Sequence, residues 1–185
     1  MIKDALNETE ERMKGAISVL SNDLATIRTG RASPALVERL EVEYYGAPTP
    51  LQQLATISAP EPRLLTIKPF DPSSLKDIER AILGSELGLT PNNDGKMIRL
   101  SIPALTEERR KQLTKVVHHR LEEARVAVRN VRRSTHEDMR EFQKEKLISE
   151  DELERGEADL QKLTDRYVEK IDQLGTRKEA EIMEI

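Results

Sequence analysis

At 185 residues, with 35% charged side chains, 3% aromatic and no Trp, the chain has room for one or two domains. Its composition favours long solvated helices over a thick sheet core. The absence of Cys excludes disulfides, thiolate metal sites and cysteine nucleophiles. The net charge of −4 is unevenly placed, because Arg109 to Arg133 holds nine basic residues against two acidic ones, Glu122 and Glu123.

The chain opens on Met1-Ile2-Lys3-Asp4 and passes directly into a polar helical pattern, with neither the apolar run of a signal peptide nor the Arg-rich look of a transit peptide. No stretch approaches the roughly 20 apolar residues of a membrane span. The expectation is a soluble cytosolic protein that does not engage membranes. The first helix is predicted from about Lys3 to Arg28, with a seam of Ile2, Leu6, Met13, Ile17, Leu20, Leu24 and Ile27, stopped by Gly30 and Pro34.

From about Arg31 to Leu105 the period changes and most prolines gather. Leu40 to Tyr44 alternates as a strand, broken by Gly46, Pro48 and Pro50. Leu54 to Ile57 and Leu64 to Ile67 are further strands around a turn at Pro60-Glu61-Pro62. Ser73 or Ser74 caps a short helix through Leu75, Ile78, Ala81 and Ile82. Asn92-Asn93-Asp94-Gly95 is a turn before a strand over Met97 to Ile102.

The second long helix gives the strongest signal. Leu113, Val117, Leu121, Ala124, Val128, Val131, Thr135, Met139 and Phe142 form one unbroken seam from a Thr106 cap to about Lys144. After a short link, Ser149 and Glu152 form a capping box for a third helix, with Leu153, Leu160, Leu163, Tyr167, Ile171, Leu174 and Ile182 on its seam. The short link makes helices two and three antiparallel neighbours. The predicted fold is α+β in two domains. A discontinuous three-helix bundle (residues 1–30 and 105–185) carries an inserted α/β domain (residues 31–104). The crossings Thr29-Gly30-Arg31 and Pro103-Ala104-Leu105 suggest a hinge.

On a helical wheel, Lys111, His118, Arg125, Arg129, Arg132 and His136 fall within roughly 40° of one line, beside the apolar seam and available to solvent. Two readings stay open: a solvated face salt-bridged to the acidic third helix, or a phosphate-directed surface, since Arg offers planar bidentate contacts. No aromatics accompany the stripe, so base readout is not expected. His118 and His119 point about 100° apart and cannot chelate one ion, and His136 reads as solvent-side. No phosphate-binding loop is present, and the carboxylates lie in solvated contexts. No catalytic site, metal or cofactor is expected. Tyr44-Tyr45-Gly46 reads as a packed strand end rather than a binding platform.

The segments Thr26 to Pro34, Val42 to Leu51, Leu87 to Asn92, Leu105 to Lys111 and Ala124 to Arg133 resemble the ribosome recycling factor family, in family order and across both domains. The resemblance implies an L-shaped, hinged protein. Its bundle contacts large-subunit rRNA near the inter-subunit bridges after peptide release. Elongation factor G, with GTP hydrolysis, then acts on the smaller domain and drives the subunits apart, while the factor, a monomer, hydrolyses nothing itself. Carried onto this chain, Arg129 and Arg132 are the leading rRNA contacts, with Arg28, Arg31, Arg110 and Arg133 in support. The hinge maps to Thr29, Gly30, Arg31, Pro103, Ala104 and Leu105. The alternative is a non-ribosomal helical adaptor or chaperone that binds a protein client through the bundle.

Overall fold

The computed structural model describes residues 1–184. The chain divides into two compact units, Met1–Arg28 with Thr106–Glu184, and Thr29–Leu105.

The first unit is a bundle of three helices, α1 (Ile2–Ala25), α4 (Glu107–Lys144) and α5 (Glu150–Met183), each packed on the other two. At about 1.5 Å per residue, the 38 residues of α4 span about 57 Å. Thr106 starts it by accepting the N–H of Arg109 at 3.1 Å, with Glu107 and Glu108 favourably placed in the first turn. Ser149 starts α5 through a reciprocal box: Ser149 accepts from the Glu152 N–H at 3.1 Å, and the Glu152 carboxylate accepts from the Ser149 N–H at 2.7 Å. Met13, Val117, Val128, Met139, Leu160, Tyr167 and Ile171 form the bundle interior. Thr9 on α1 and Thr135 on α4 are buried and hydrogen-bonded to each other. Their hydroxyls also approach the carbonyls of Ala5 and Val131 on their own helices, so two protons serve three contacts. The phenol of Tyr167 donates to Glu10 at 2.9 Å, and burial followed by this bond holds its pKa above the usual value.

The helix α1 stops at Ala25, three residues before the expected Arg28 and well before Gly30. Thr26 closes the last turn tightly, with both its N–H and its hydroxyl donating to the Asp23 carbonyl, and Ile27 N–H follows to Leu24.

The second unit contains a two-stranded hairpin, β1 (Glu41–Tyr44) with β2 (Ala47–Pro50), a single helical turn α2 (Leu51–Leu54), and the helix α3 (Leu75–Leu83). A four-stranded antiparallel sheet completes it: β3 (Ala55–Glu61), β4 (Leu64–Pro69), β5 (Pro91–Asn93) and β6 (Ile98–Ser101), in the order β3-β4-β6-β5. Val37, Val42, Leu51, Leu65, Ile67, Ile78, Ile82, Ile98 and Leu100 make its core.

Four details depart from expectation. The turn foreseen at Pro60-Glu61-Pro62 falls at Pro62-Arg63, because Pro60 and Glu61 belong to β3 and Glu61 pairs with Leu64. The prolines that were to break the first strand lie inside β2. The pairs Tyr44↔Ala47 and Val42↔Thr49 turn the ladder-side N–H groups to Ala47 and Thr49. Pro48 and Pro50 therefore sit where a missing donor costs nothing. The side chain that caps the segment before α3 is Asp71, which accepts the N–H of Ser73 at 3.0 Å, rather than Ser73 or Ser74. Pro91 to Asn93 joins the sheet, so only the end of the predicted turn remains a turn.

That turn is held by Asp94, whose carboxylate accepts the N–H groups of Met97 and Lys96 and the Arg99 guanidinium. These bonds hold its pKa down at about 2. With the folded pKa below the unfolded one, this contribution is complete above about pH 4 and is lost as pH falls towards 2. Asp94→Ala is expected to be less stable than wild type at neutral pH and to converge with it near pH 2, in denaturant titrations across that range.

Two helical glycines separate backbone cost from packing. A Cβ at Gly15 would meet nothing within 4 Å, whereas one at Gly175 would overlap the buried Leu121 side chain. Gly15→Ala is expected to stabilise by about 0.5–1 kcal/mol. Gly175→Val is expected to destabilise by about 2 kcal/mol. Thermal melts of the two variants check both signs.

Candidate nucleic-acid interface

The helix α4 carries the basic segment, and the burial of Leu113, Val117, Leu121, Ala124 and Val128 fixes its rotation. The direction of each arginine follows from that. Part of the predicted stripe is engaged by α5. His118 pairs with Glu179, Arg125 with Asp172 at 2.6 Å, and His136 with Glu157 at 2.9 Å. Arg125 also reaches Glu122 at 3.3 Å, and the Asp172 hydrogen bond above all raises its pKa from an already high value. The stripe is thus not wholly free to solvent, as the wheel suggested. His136 is half-buried against α5 rather than solvent-side. The reason is register: two antiparallel helices bring the edge beside a seam against the neighbour's own edge.

The pairing follows a heptad. His118, Arg125 and Arg132 step by seven along α4, and Glu179, Asp172 and Asp165 step back by seven along α5. At the third step it lapses. Asp165 accepts from Gln161 at 2.8 Å, and Arg132 has no ion pair or hydrogen bond among the described residues. Arg133 is exposed and likewise without a partner among the described residues. Arg129 is exposed and, among the described residues, pairs only with Glu122, at 3.5 Å. Between exposed groups such a contact is weak.

These three arginines are gathered within five consecutive positions of one helix, 129 to 133. The other candidates lie elsewhere. Arg110 is in the first turn of α4, about 33 Å along the axis from Arg132. It is half-buried, and its Nε is enclosed without a hydrogen-bond partner. Arg28 is exposed just past α1, which runs antiparallel to α4 (Thr9 meets Thr135), so it lies beside the N-terminal half of α4. Arg31 is exposed in the second unit, lining a shallow cleft with Ala32, Ala59, Pro60, Glu61 and Pro62. Of the predicted hinge residues, Thr29, Gly30, Arg31, Pro103, Ala104 and Leu105 all fall in that unit, at its two boundaries. Gly30 has φ +75°, and a Cβ there would lie 3.1 Å from Leu105 Cγ and 3.6 Å from the Pro103 carbonyl. The two crossings therefore run side by side, and only glycine fits the left-handed backbone and the close approach together.

The ribosome recycling factor family model matches residues 20–183. The ribosome-recycling factors of Roseiflexus castenholzii and Bacillus subtilis are 60% and 55% identical, each over the whole of both chains. The chain belongs to the ribosome recycling factor family. Among solved structures, a solution structure of a ribosome recycling factor is 46% identical, with a TM-score of 0.74, covering 100% of this chain and 98% of its own. A second, 48% identical over both full chains with a TM-score of 0.64, comes from a study of the Thermus thermophilus ribosome recycling factor and Escherichia coli elongation factor G bound to the E. coli post-termination complex.

Within this member of the recycling factor family, no helix among the described residues is long and apolar enough to cross a membrane. The reading of a face salt-bridged to the third helix holds for His118, Arg125 and His136, half of the stripe, but the wheel did not show which α5 carboxylates engage them. The matching heptad of Asp165, Asp172 and Glu179 was the signal that could have revealed them. The wheel also passed over Val126, which is 45% exposed and one turn from Arg129.

Because Arg125 bridges two helices and Arg132, among the described residues, bridges nothing, their removal should separate in stability. Arg125→Ala is expected to lose about 1 kcal/mol, and Arg132→Ala to stay within about 0.5 kcal/mol of wild type, in urea unfolding.

Proposed function

We propose that the protein recycles ribosomes after translation termination, with Arg129, Arg132 and Arg133 as its anchor on large-subunit rRNA. Arg110, Arg28 and Arg31 serve as outlying contacts. Elongation factor G acts on the smaller unit and, with GTP hydrolysis, splits the subunits and frees mRNA and tRNA. The chain catalyses no reaction of its own and works as a monomer in the cytoplasm.

The observation that carries the anchor is the set of arginines left over after α5 has engaged its share of the stripe, in a chain of this family. Arg132 and Arg133, without a partner among the described residues, have no ion pair to break before meeting a phosphate, and Arg129 has only its weak exposed contact with Glu122 to exchange. The length of α4 adds a mechanical argument. A packed helix of about 57 Å transmits displacement along its axis, which a loop cannot do. The crossings at Gly30 and Leu105 form the hinge in this reading: two parallel segments permit bending and resist free tumbling.

Arg132→Gly is expected to weaken ribosome co-sedimentation and to lower the slope of log affinity against log salt by about one. It should also slow subunit splitting with elongation factor G and GTP. Equal binding by wild type and variant at every salt concentration would remove Arg132 from the anchor. A wild-type protein that fails to accelerate splitting would overturn the recycling reading. Binding to a protein client with none to ribosomes would favour the adaptor.

A further inference from the structure

The helix α5 carries eleven acidic residues against six basic ones, yet its charges are sorted by edge. At about 100° per residue, Arg155, Lys162, Arg166, Lys170 and Arg177 fall within an arc of roughly 80°. Between Arg155 and Arg177 that arc also takes in Asp159 and Gln173 and no other residue. All five cations are exposed. The arc lies on the α1 side of the helix. Arg166 approaches Glu10 of α1 at 3.6 Å, and Tyr167, beneath Lys170, donates to the same Glu10. The carboxylates that meet α4, namely Glu157, Asp172 and Glu179, lie across the buried seam from it.

These cations are little used by the fold. Asp159 stands one turn from both Arg155 and Lys162 and bonds to neither. Arg155, Lys162 and Arg177 have no ion pair or hydrogen bond among the described residues. Arg166 has only its long contact with Glu10, and the Lys170 ammonium lies 4.4 Å from the Tyr167 ring centroid, which leaves its donors open. The sixth cation, Lys178, lies outside the arc and takes Glu181 at 3.3 Å.

The length and chemistry of the strip select its partner. From Arg155 to Arg177 it runs about 33 Å along the axis. A straight array of one sign over that distance suits a phosphate backbone. An acidic protein would need an apolar centre to its interface, and the large exposed apolar residue of α5 is Met183, beyond the strip. Tyr167, the one aromatic of α5, is buried, so contact is with phosphates and not with stacked bases.

We infer that this edge of α5 is a second RNA-backbone contact, and that the bundle is held between two RNA segments. The carboxylates of α5 separate the strip from Arg129, Arg132 and Arg133, and a single backbone would have to cross them to reach both. This rests on the recycling function proposed above, which makes the RNA ribosomal, and it adds a face on the other side of α5 from the α4 anchor.

The test uses full-length Arg155→Gln/Lys162→Gln/Arg177→Gln and its three single variants. Gln is a good helix former and the positions are exposed, so all should melt close to wild type. Ribosome co-sedimentation is measured over a series of salt concentrations. The triple variant is expected to bind at least tenfold more weakly at low salt, with the slope of log affinity against log salt lowered by about two to three. That loss should add to the loss from Arg132→Gly. Charge-retaining Arg155→Lys/Lys162→Arg/Arg177→Lys should bind like wild type. A benzophenone photocrosslinker in place of Lys162 should attach to rRNA in the same particles. An unchanged slope in the triple variant overturns the second contact and leaves the Arg132 anchor standing. Crosslinks to protein alone also overturn it, by giving the strip to an acidic protein. A wild-type protein that does not sediment with ribosomes overturns both this contact and the recycling reading.

Discussion

Much of the first unit depends on one constraint: the apolar seam of α4 must be buried along a helix that is polar elsewhere. Both α1 and α5 cover it. Thr9 meets Thr135 across the α1–α4 contact, and Leu121 lies against Gly175 across the α4–α5 contact. A seam of single residues per turn tolerates little rotation, because turning the helix by one position would bring charged groups into the interior. Once α4 is set rotationally, every arginine on it has a fixed direction. The candidate surface is a by-product of core packing, and its geometry derives from buried Val117, Val128 and Met139 rather than from contacts among the arginines.

The distribution of charge follows from the same register. Carboxylates on α5 fall alongside part of the basic stripe and convert Arg125 from a free cation into a cross-helix tie. Where the carboxylate partner turns to Gln161 instead, Arg132 is released. Whether a basic residue serves the fold or a ligand is decided by what the adjacent helix presents, and charge density along α4 alone does not reveal it. The solvated, salt-bridged reading holds at Arg125, and the phosphate-directed one is left for the arginines beyond it on the same helix.

What was legible in the sequence is what repeats or caps. The α4 seam, the Thr106 cap and the Ser149–Glu152 box are local patterns with local causes, and they place the helices well. What was not legible depends on partners distant in sequence. Pro48 and Pro50 look like breakers until the hairpin register turns their nitrogens outwards. Pro91 to Asn93 becomes a strand only because β6 lies beside it. Tyr44 and Tyr45 are adjacent, yet one reaches Asp71 and the other faces solvent. The wheel found Arg129 and Arg132 of the candidate interface but not Arg133, and it could not distinguish Arg125 from Arg132 without the α5 register.

The Thr9–Thr135 contact joins residues 126 apart in the chain. The α4–α5 hairpin, by contrast, closes through a link of five residues between Lys144 and Glu150. Loop-closure entropy makes the second a cheap local event and the first a late one. During synthesis α1 leaves the ribosome first, before either helix that will cover its seam has been made. Its many charged residues keep it solvated through that interval, and the whole second unit can assemble before α1 docks. The discontinuous layout thus imposes an order of assembly in which the first helix to be made is the last to be buried.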